Sequence, residues 1–298
     1  MTVSQVSGFN SSISAAREYG KRILPVLYFL IVALPHHPVS NLLDQCILFP
    51  QGHGFMERMA DVLSLLIILA VLVLGLKSTQ NHGVRAIRHL AVWLLLLGLM
   101  YGADRTLIVN NIERIHYPQY AVLALLMGLS VRNELLIFSL VSGLGFVDEF
   151  LQYAMNPAKT NYLDFNDFVL NILGAAMGVA LLLGLRKEVS LQPAKYELQL
   201  RRASIIVGGI SAVVILVSLA LGRIVPLVEQ VKNRSVLTVV DGRLSFIMSF
   251  ERHDKFWLTS YFGRVFHVFT PLEGLLVVSL LSLFTWAFVR WVRRRGTG

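Results

Sequence analysis

The chain has 298 residues, 55% of them hydrophobic and only 15% charged, with 27 basic and 18 acidic side chains and a net charge of +9. Soluble domains carry about 25% charge, so the apolar surplus has to face lipid, and a soluble globular enzyme is excluded. The basic excess sits between apolar runs, where it signals membrane topology rather than a nucleic-acid partner, and the single cysteine, Cys46, excludes an internal disulfide and any CxxC motif.

In chain order, residues 1–16 are uncharged and rich in Ser, which predicts a poorly ordered stretch within a cytoplasmic tail over 1–22. The first apolar run, Ile23 to Leu34, ends at Pro35-His36-His37-Pro38 and alone covers about 18 Å. No small-x-small cleavage site follows Lys21-Arg22 and this run, so it reads as an uncleaved anchor. His36, His37 and His53 lie in the next loop at a spacing that suggests no metal site. Runs approaching the roughly 20 residues needed for a crossing follow at 57–76, 87–107, 117–131, 135–154, 168–185, 204–222 and 273–292. The fold expected is an all-α polytopic membrane protein. It has about eight transmembrane helices, or seven if the first is not a full span, with a small extracytoplasmic β element.

That β element belongs to 223–272. Ser235 to Val240 and Arg243 to Phe250 flank Asp241-Gly242, a dipeptide suited to a two-residue hairpin turn. Phe256, Trp257, Tyr261, Phe262, Phe266 and Phe269 then pack over it or lie at the membrane interface. The division expected is an N-terminal membrane region over 23–107, a core over 108–186, a basic cytoplasmic loop over 187–203, a span over 204–222 and a C-terminal span with its basic tail over 273–298.

Both termini are placed in the cytoplasm by the distribution of Lys and Arg. The inner segments then hold Arg17, Lys21, Arg22, Lys77, Arg85, Arg88, Arg132, Arg186, Lys187, Lys195, Arg201, Arg202, Arg290 and Arg293 to Arg295. The short outer loops keep only Arg58, Arg105, Arg114 and Lys159, as the positive-inside rule requires. This reading places the protein in the plasma (inner) membrane.

Ionisable residues within spans are expensive and default to functional candidates. Three consecutive spans carry them in stripes. Glu113, His116, Tyr120 and Leu123 are spaced 3, 4, 3; Ser142, Gly145, Glu149 and Gln152 repeat that spacing, with Asp148 beside them. Asp164, Asp167, Asn171, Gly174 and Gly178 are spaced 3, 4, 3, 4. Each set falls on one helix face. Glycine in the deeper part lets backbones approach, while the outer ends are acidic, amide or imidazole groups. A three-helix cluster, tight below and opening outward into a polar pocket, follows. Its catalytic candidates are His116, Asp148, Glu149 and Asp167. Asn171, Tyr120 and Gln152 serve equally well as hydrogen bonds between helices.

These motifs resemble VanZ-like integral membrane proteins. The match covers about residues 110–182 and rests on Glu113-x-x-His116-x-x-x-Tyr120, Glu149-x-x-Gln152 and Asp164-x-x-Asp167-x-x-x-Asn171-x-x-Gly174-x-x-x-Gly178. The family is named for a teicoplanin-resistance protein, and the resemblance implies a role at the cell envelope linked to glycopeptide antibiotic resistance. This chain has Glu113 where the family usually has Lys, and Asn161 where it has Arg. If the family site holds an anionic head group through those cations, Arg114, Lys159 or Arg105 must replace them here.

The function expected is an outward-facing site that binds or processes an amphipathic envelope component such as a lipid-linked cell-wall precursor. His116 with Glu149 or Asp167 would form a general acid/base pair, and Glu113, Arg114, Tyr120, Gln152, Lys159, Asp164 and Asn171 would line the ligand. A transporter or proton-coupled carrier is the alternative, although no inverted repeat is evident; a structural partner protein is a third. Ser142-Gly143 lacks the preceding glycine of an intramembrane serine protease motif, and Gly143-Leu-Gly145 is not followed directly by Asp. A metal site can be drawn from His116, Glu149 and Asp167, but one histidine argues weakly for it, so the expectation includes no metal and no cofactor. The partners expected are membrane lipid or a lipid-linked precursor, with no nucleic acid.

Overall fold

The computed structural model describes residues 3–33, 84–109, 111–155, 163–186, 195–227, 237–240, 242–249, 255–260 and 263–293, with nine further residues described singly between Phe55 and Val73. Seven α-helices and five short strands lie among the described residues. Helix α1 spans Val3–Ala33 and α2 spans Val84–Thr106. A 3-10 helix over Asn111–Ile115 runs directly into α3, His116–Met127. Helices α4, Glu134–Met155, and α5, Phe165–Leu185, complete the core. Helix α6, Lys195–Ala220, leads into the strands, and α7, Pro271–Arg293, follows them.

Among the described residues four stretches are long and apolar enough to cross a membrane: Ala86–Thr106, Phe165–Leu185, Glu197–Ala220 and Pro271–Arg293. They mark the chain as a multi-pass membrane protein, and two of them show opposite environments. The most apolar window of α5 is 94% buried, whereas that of α6 is 0% buried. A helix apolar on every face is stable in lipid or inside a protein core, not in water. Helix α5 is therefore the axis of the bundle, flanked by α2, α3, α4 and α7. Helix α6 presents Ile206, Val207, Ile210, Val213, Val214 and Val217 outward from the bundle.

Two expectations change at the N-terminal side. Residues 3–22 do not form a loose tail but the first part of α1, which continues through Pro25 to Ala33. The apolar run from Ile23 is thus the end of a longer helix, whose Phe29 and Ala33 are buried in the core and whose Tyr28 hydroxyl donates to the Gln119 carbonyl at 3.2 Å. Helix α3 is shorter than the 117–131 run. It stops at Met127, and its 12 residues cover about 18 Å. The run at 57–76 and the loops holding Cys46, Lys159 and Asn161 lie outside the continuously described residues.

Glycine sets how closely the core helices approach. An added Cβ at Gly178 would stand 2.6 Å from the Ala121 carbonyl oxygen, and one at Gly174 would stand 2.7 Å from that of Tyr117. Both neighbours are α3 backbone, so α3 and α5 meet almost main chain to main chain.

The two ends of the bundle differ in chemistry. At one end Arg186 donates to the carbonyls of Gly128, Val131 and Arg132. Its guanidinium also lies 3.3 Å from the fully buried Glu134, which Arg293 contacts as well. Glu197 receives the Arg132 and Asn133 backbone N–H groups at 3.2 and 2.8 Å. At the other end lie the N-termini of α3 and α5 and the strands. Strand β1 is Ile224–Leu227, β2 is Leu237–Val240 and β3 is Arg243–Ser249. Strands β2 and β3 form the expected hairpin, with Val240 paired to Arg243 and Gly242 at φ +73°. Parallel β1 on the far side of β3 was not anticipated. Strand β4, Leu258–Thr259, pairs with β5, Val265–Phe266.

The strands are fastened to the helices. Tyr153 donates to the Ile247 carbonyl at 2.8 Å, and Phe150 stacks on Phe246. The Asn166 amide donates to the carbonyls of Leu107 and His267, and its oxygen accepts the Phe269 N–H.

Candidate functional site

Helix starts position the polar groups. Asp164 caps α5, accepting the Asn166 N–H at 2.8 Å, and this carboxylate at a helix N-terminus is favoured by the unsatisfied N–H groups there. Asp167 follows in the first turn and Asn171 one turn deeper. His116 is the first residue of α3, and Glu149 and Asp148 come from the second half of α4. Two helix starts and the later half of a third helix thus bring their polar stripes together.

The contacts form two linked sets. In the first, Asn171 is the hub: its amide nitrogen donates to Glu149 Oε1 at 2.8 Å, and its oxygen lies 2.7 Å from His116 Nδ1. Because the nitrogen side of the amide is spent on a carboxylate, the oxygen accepts, and the proton on His116 sits on Nδ1. The other ring nitrogen, Nε2, stands 3.7 Å from Asp167 Oδ1. In the second set Asp148 accepts from the Tyr120 hydroxyl at 2.7 Å and from the Gln152 amide at 3.3 Å. His116, Tyr120, Asp148, Glu149 and Asn171 are all buried, whereas Asp167 keeps 20% of its side chain exposed.

One ligand atom each from His116, Glu149 and Asp167 lie within 4.8 Å of one another. Gly145 makes room for this arrangement, since a Cβ there would stand 3.0 Å from the Asn171 Cβ and 3.2 Å from the Tyr120 ring. Burial and then the neighbouring Asp167 carboxylate push Asp164 up to about 7, against the pull of backbone N–H groups at the helix start. Among the described residues no Lys or Arg pairs with Asp148, Glu149, Asp164 or Asp167. The cluster is rich in carboxyl groups and buried on most sides.

His116, Tyr120, Asp148, Glu149, Gln152, Asp167 and Asn171 thus come together, with Asp164 at the rim. The other expected ligand-lining residues are committed elsewhere or lie outside the described residues. Glu113 accepts the Val109 N–H at 2.9 Å. Arg114 pairs with Asp104 at 2.5 Å and with Asp61, and Arg264 joins the same Asp104 at 3.2 Å. Arg105 lies over the exposed Tyr101 ring. Lys159 is outside the described residues. The cations expected to hold an anionic head group are therefore, where described, engaged away from the cluster.

Two polar elements were missed in the sequence. Asn166 lies one position off the Asp164 and Asp167 stripe, so the helical template skipped it, yet it ties three segments at the rim. Asp104 falls near the end of the apolar run 87–107. Its signal was available as a carboxylate beside a loop holding two arginines, but its partners lie 10 and 160 residues away.

No family model, curated protein or solved structure matches the chain.

Proposed function

We propose that this is a VanZ-like protein of the plasma membrane whose polar site, facing the extracytoplasmic side, binds or processes an amphipathic envelope component such as a lipid-linked cell-wall precursor. One observation carries the reading: a buried His and three acids converge at one end of a bundle whose outer helices are clothed in apolar side chains. A ligand with a polar head and a hydrocarbon tail satisfies both surfaces at once. The outward orientation is supported by the basic residues gathered at the opposite end, with both termini in the cytoplasm. About eight crossings remain the topology proposed, and a link to glycopeptide resistance follows only from the family motifs.

In the catalytic form, His116 Nε2 carries the lone pair and acts as general base toward a group held between it and Asp167, while a protonated carboxyl of the cluster supplies the acid. Asn171 fixes the imidazole tautomer that this requires. The carrier reading has its own support, because Tyr120, Asp148 and Gln152 form a hydrogen-bonded array beside His116, Asn171 and Glu149. Proton movement could follow such an array.

The test is direct binding in lipid nanodiscs. The full chain should bind or convert a polyprenyl-pyrophosphate-linked sugar, with the effect reduced at least about tenfold in Asp167→Asn. Absence of binding and turnover, together with a pH-gradient-driven flux in proteoliposomes, would overturn the proposal in favour of the carrier.

A further inference from the structure

We infer that His116 Nε2, a carboxylate oxygen of Glu149 and a carboxylate oxygen of Asp167 form a binding site for one divalent transition-metal ion, of the Zn2+ or Mn2+ type. The inference goes beyond the envelope-component reading: an ion on Nε2 takes the lone pair that the general-base form would use, so with metal bound His116 serves as ligand and not as base, and the test of the site is metal binding alone.

Geometry is the first support. The three atoms come from α3, α4 and α5 and lie within 4.8 Å of one another. Metal bonds to imidazole nitrogen and carboxylate oxygen are about 2.0 to 2.2 Å, so two ligands of one ion stand at most about 4.4 Å apart, and about 3.4 Å apart in a tetrahedral sphere. His116 Nε2 and Asp167 Oδ1, at 3.7 Å, are already near that spacing, and closing the widest pair takes at most about 1.4 Å.

Orientation is the second. A ligating imidazole typically gives its other N–H to a fixed acceptor, which sets the tautomer and aims the free lone pair at the metal. Asn171 does this for His116 and also holds Glu149 by its Oε1. A single side chain therefore orients two of the three ligands. Asp148 has both oxygens occupied by Tyr120 and Gln152, so it contributes negative charge without joining the ligand set.

Charge is the third. Buried carboxylates that share a site repel one another and are costly without a counter-charge. Among the described residues no Lys or Arg supplies one here. A divalent ion neutralises the cluster and would give an anionic pocket an affinity for phosphate. The mixed nitrogen and oxygen donors select a transition metal over Mg2+, which prefers all-oxygen ligands. With three protein ligands at least one coordination position stays open, as in catalytic rather than structural sites. Asp167, partly exposed, marks the open side.

The experiment uses the full chain in detergent, stripped with chelator and titrated calorimetrically with Zn2+, Mn2+ and Mg2+ separately, with bound metal counted by elemental analysis. One equivalent of Zn2+ or Mn2+ per chain is expected, bound at least about tenfold more tightly than Mg2+. Glu149→Gln and Asp167→Asn should each weaken it at least about tenfold, while Glu273→Gln, outside the cluster, should bind as the wild type does. If a variant misfolds, X-ray absorption on the loaded wild type decides, since one nitrogen and otherwise oxygen neighbours are required. Failure of the wild type to bind either ion, unchanged affinity in both folded variants, or a preference for Mg2+ would overturn the inference. A wild type that takes up neither ion yet still binds the lipid-linked precursor would refute this site alone and leave the proposed function standing.

Discussion

Replacing Gly174 with alanine tests whether the close approach of α3 and α5 builds the site. The added Cβ would lie 2.7 Å from the Tyr117 carbonyl oxygen, 2.8 Å from that of His116 and 3.0 Å from the Tyr120 Cβ. Ordinary contact begins at 3.4 Å, and the two closest atoms are α3 backbone that no rotamer change can move. The helices must therefore part by about 0.7 Å at the level of His116. Overpacking of this kind costs about 1 to 3 kcal/mol, and a displacement near 1 Å at a reacting group costs on the order of 100-fold in rate. Thermal unfolding in detergent, paired with complementation of a deletion strain normalised to protein in the membrane, reads both effects. Gly98→Ala is the control. Nothing lies within 4 Å of a Cβ at that position, so it should be neutral or slightly stabilising. If Gly174→Ala is as stable and as active as Gly98→Ala, close packing of α3 on α5 does not hold the site together.

Asn171→Ala removes both hydrogen bonds of the hub and should cost about 0.6 to 2 kcal/mol, measured as a lowered unfolding midpoint; an unchanged midpoint would mean that the amide is not the organising group. The proposed topology puts Cys46 outside and Ser190 inside. A membrane-impermeant thiol reagent should therefore label the native cysteine in intact cells but not a cysteine introduced at position 190, and labelling at 190 would reverse the orientation. Glu134→Ala should destabilise the opposite end by about 3 to 5 kcal/mol, because it removes the buried carboxylate shared by the Arg186 and Arg293 guanidiniums. A loss below about 1 kcal/mol would show that those guanidiniums find other partners.

The polar stripes were legible because helical periodicity survives burial. Residues spaced 3 and 4 apart share a face whatever packs against it, and this placed His116, Glu149, Asp167 and Asn171 together. The hairpin at Gly242 was legible because positive φ is a local demand. What escaped depended on distant partners. Strand β1 contains Pro226, which argues against a strand, yet β1 lies at a sheet edge, where proline is tolerated. The uncharged, Ser-rich composition of residues 1–16 resembles a tail, but the helix that starts at Val3 continues into a segment docked through Phe29 and Ala33. Arg114 looked available for an anionic ligand only because Asp104 and Asp61 are remote in sequence.

The most direct test of a working polar site is a charge-removing, shape-keeping substitution read in the living membrane. Asp167→Asn and Glu149→Gln should accumulate at wild-type levels, since each keeps its size and much of its hydrogen-bonding capacity, while a phenotype restored by the wild-type gene should be lost. Full activity for both variants at normal abundance would contradict a chemical role for the cluster and leave binding or structure in its place.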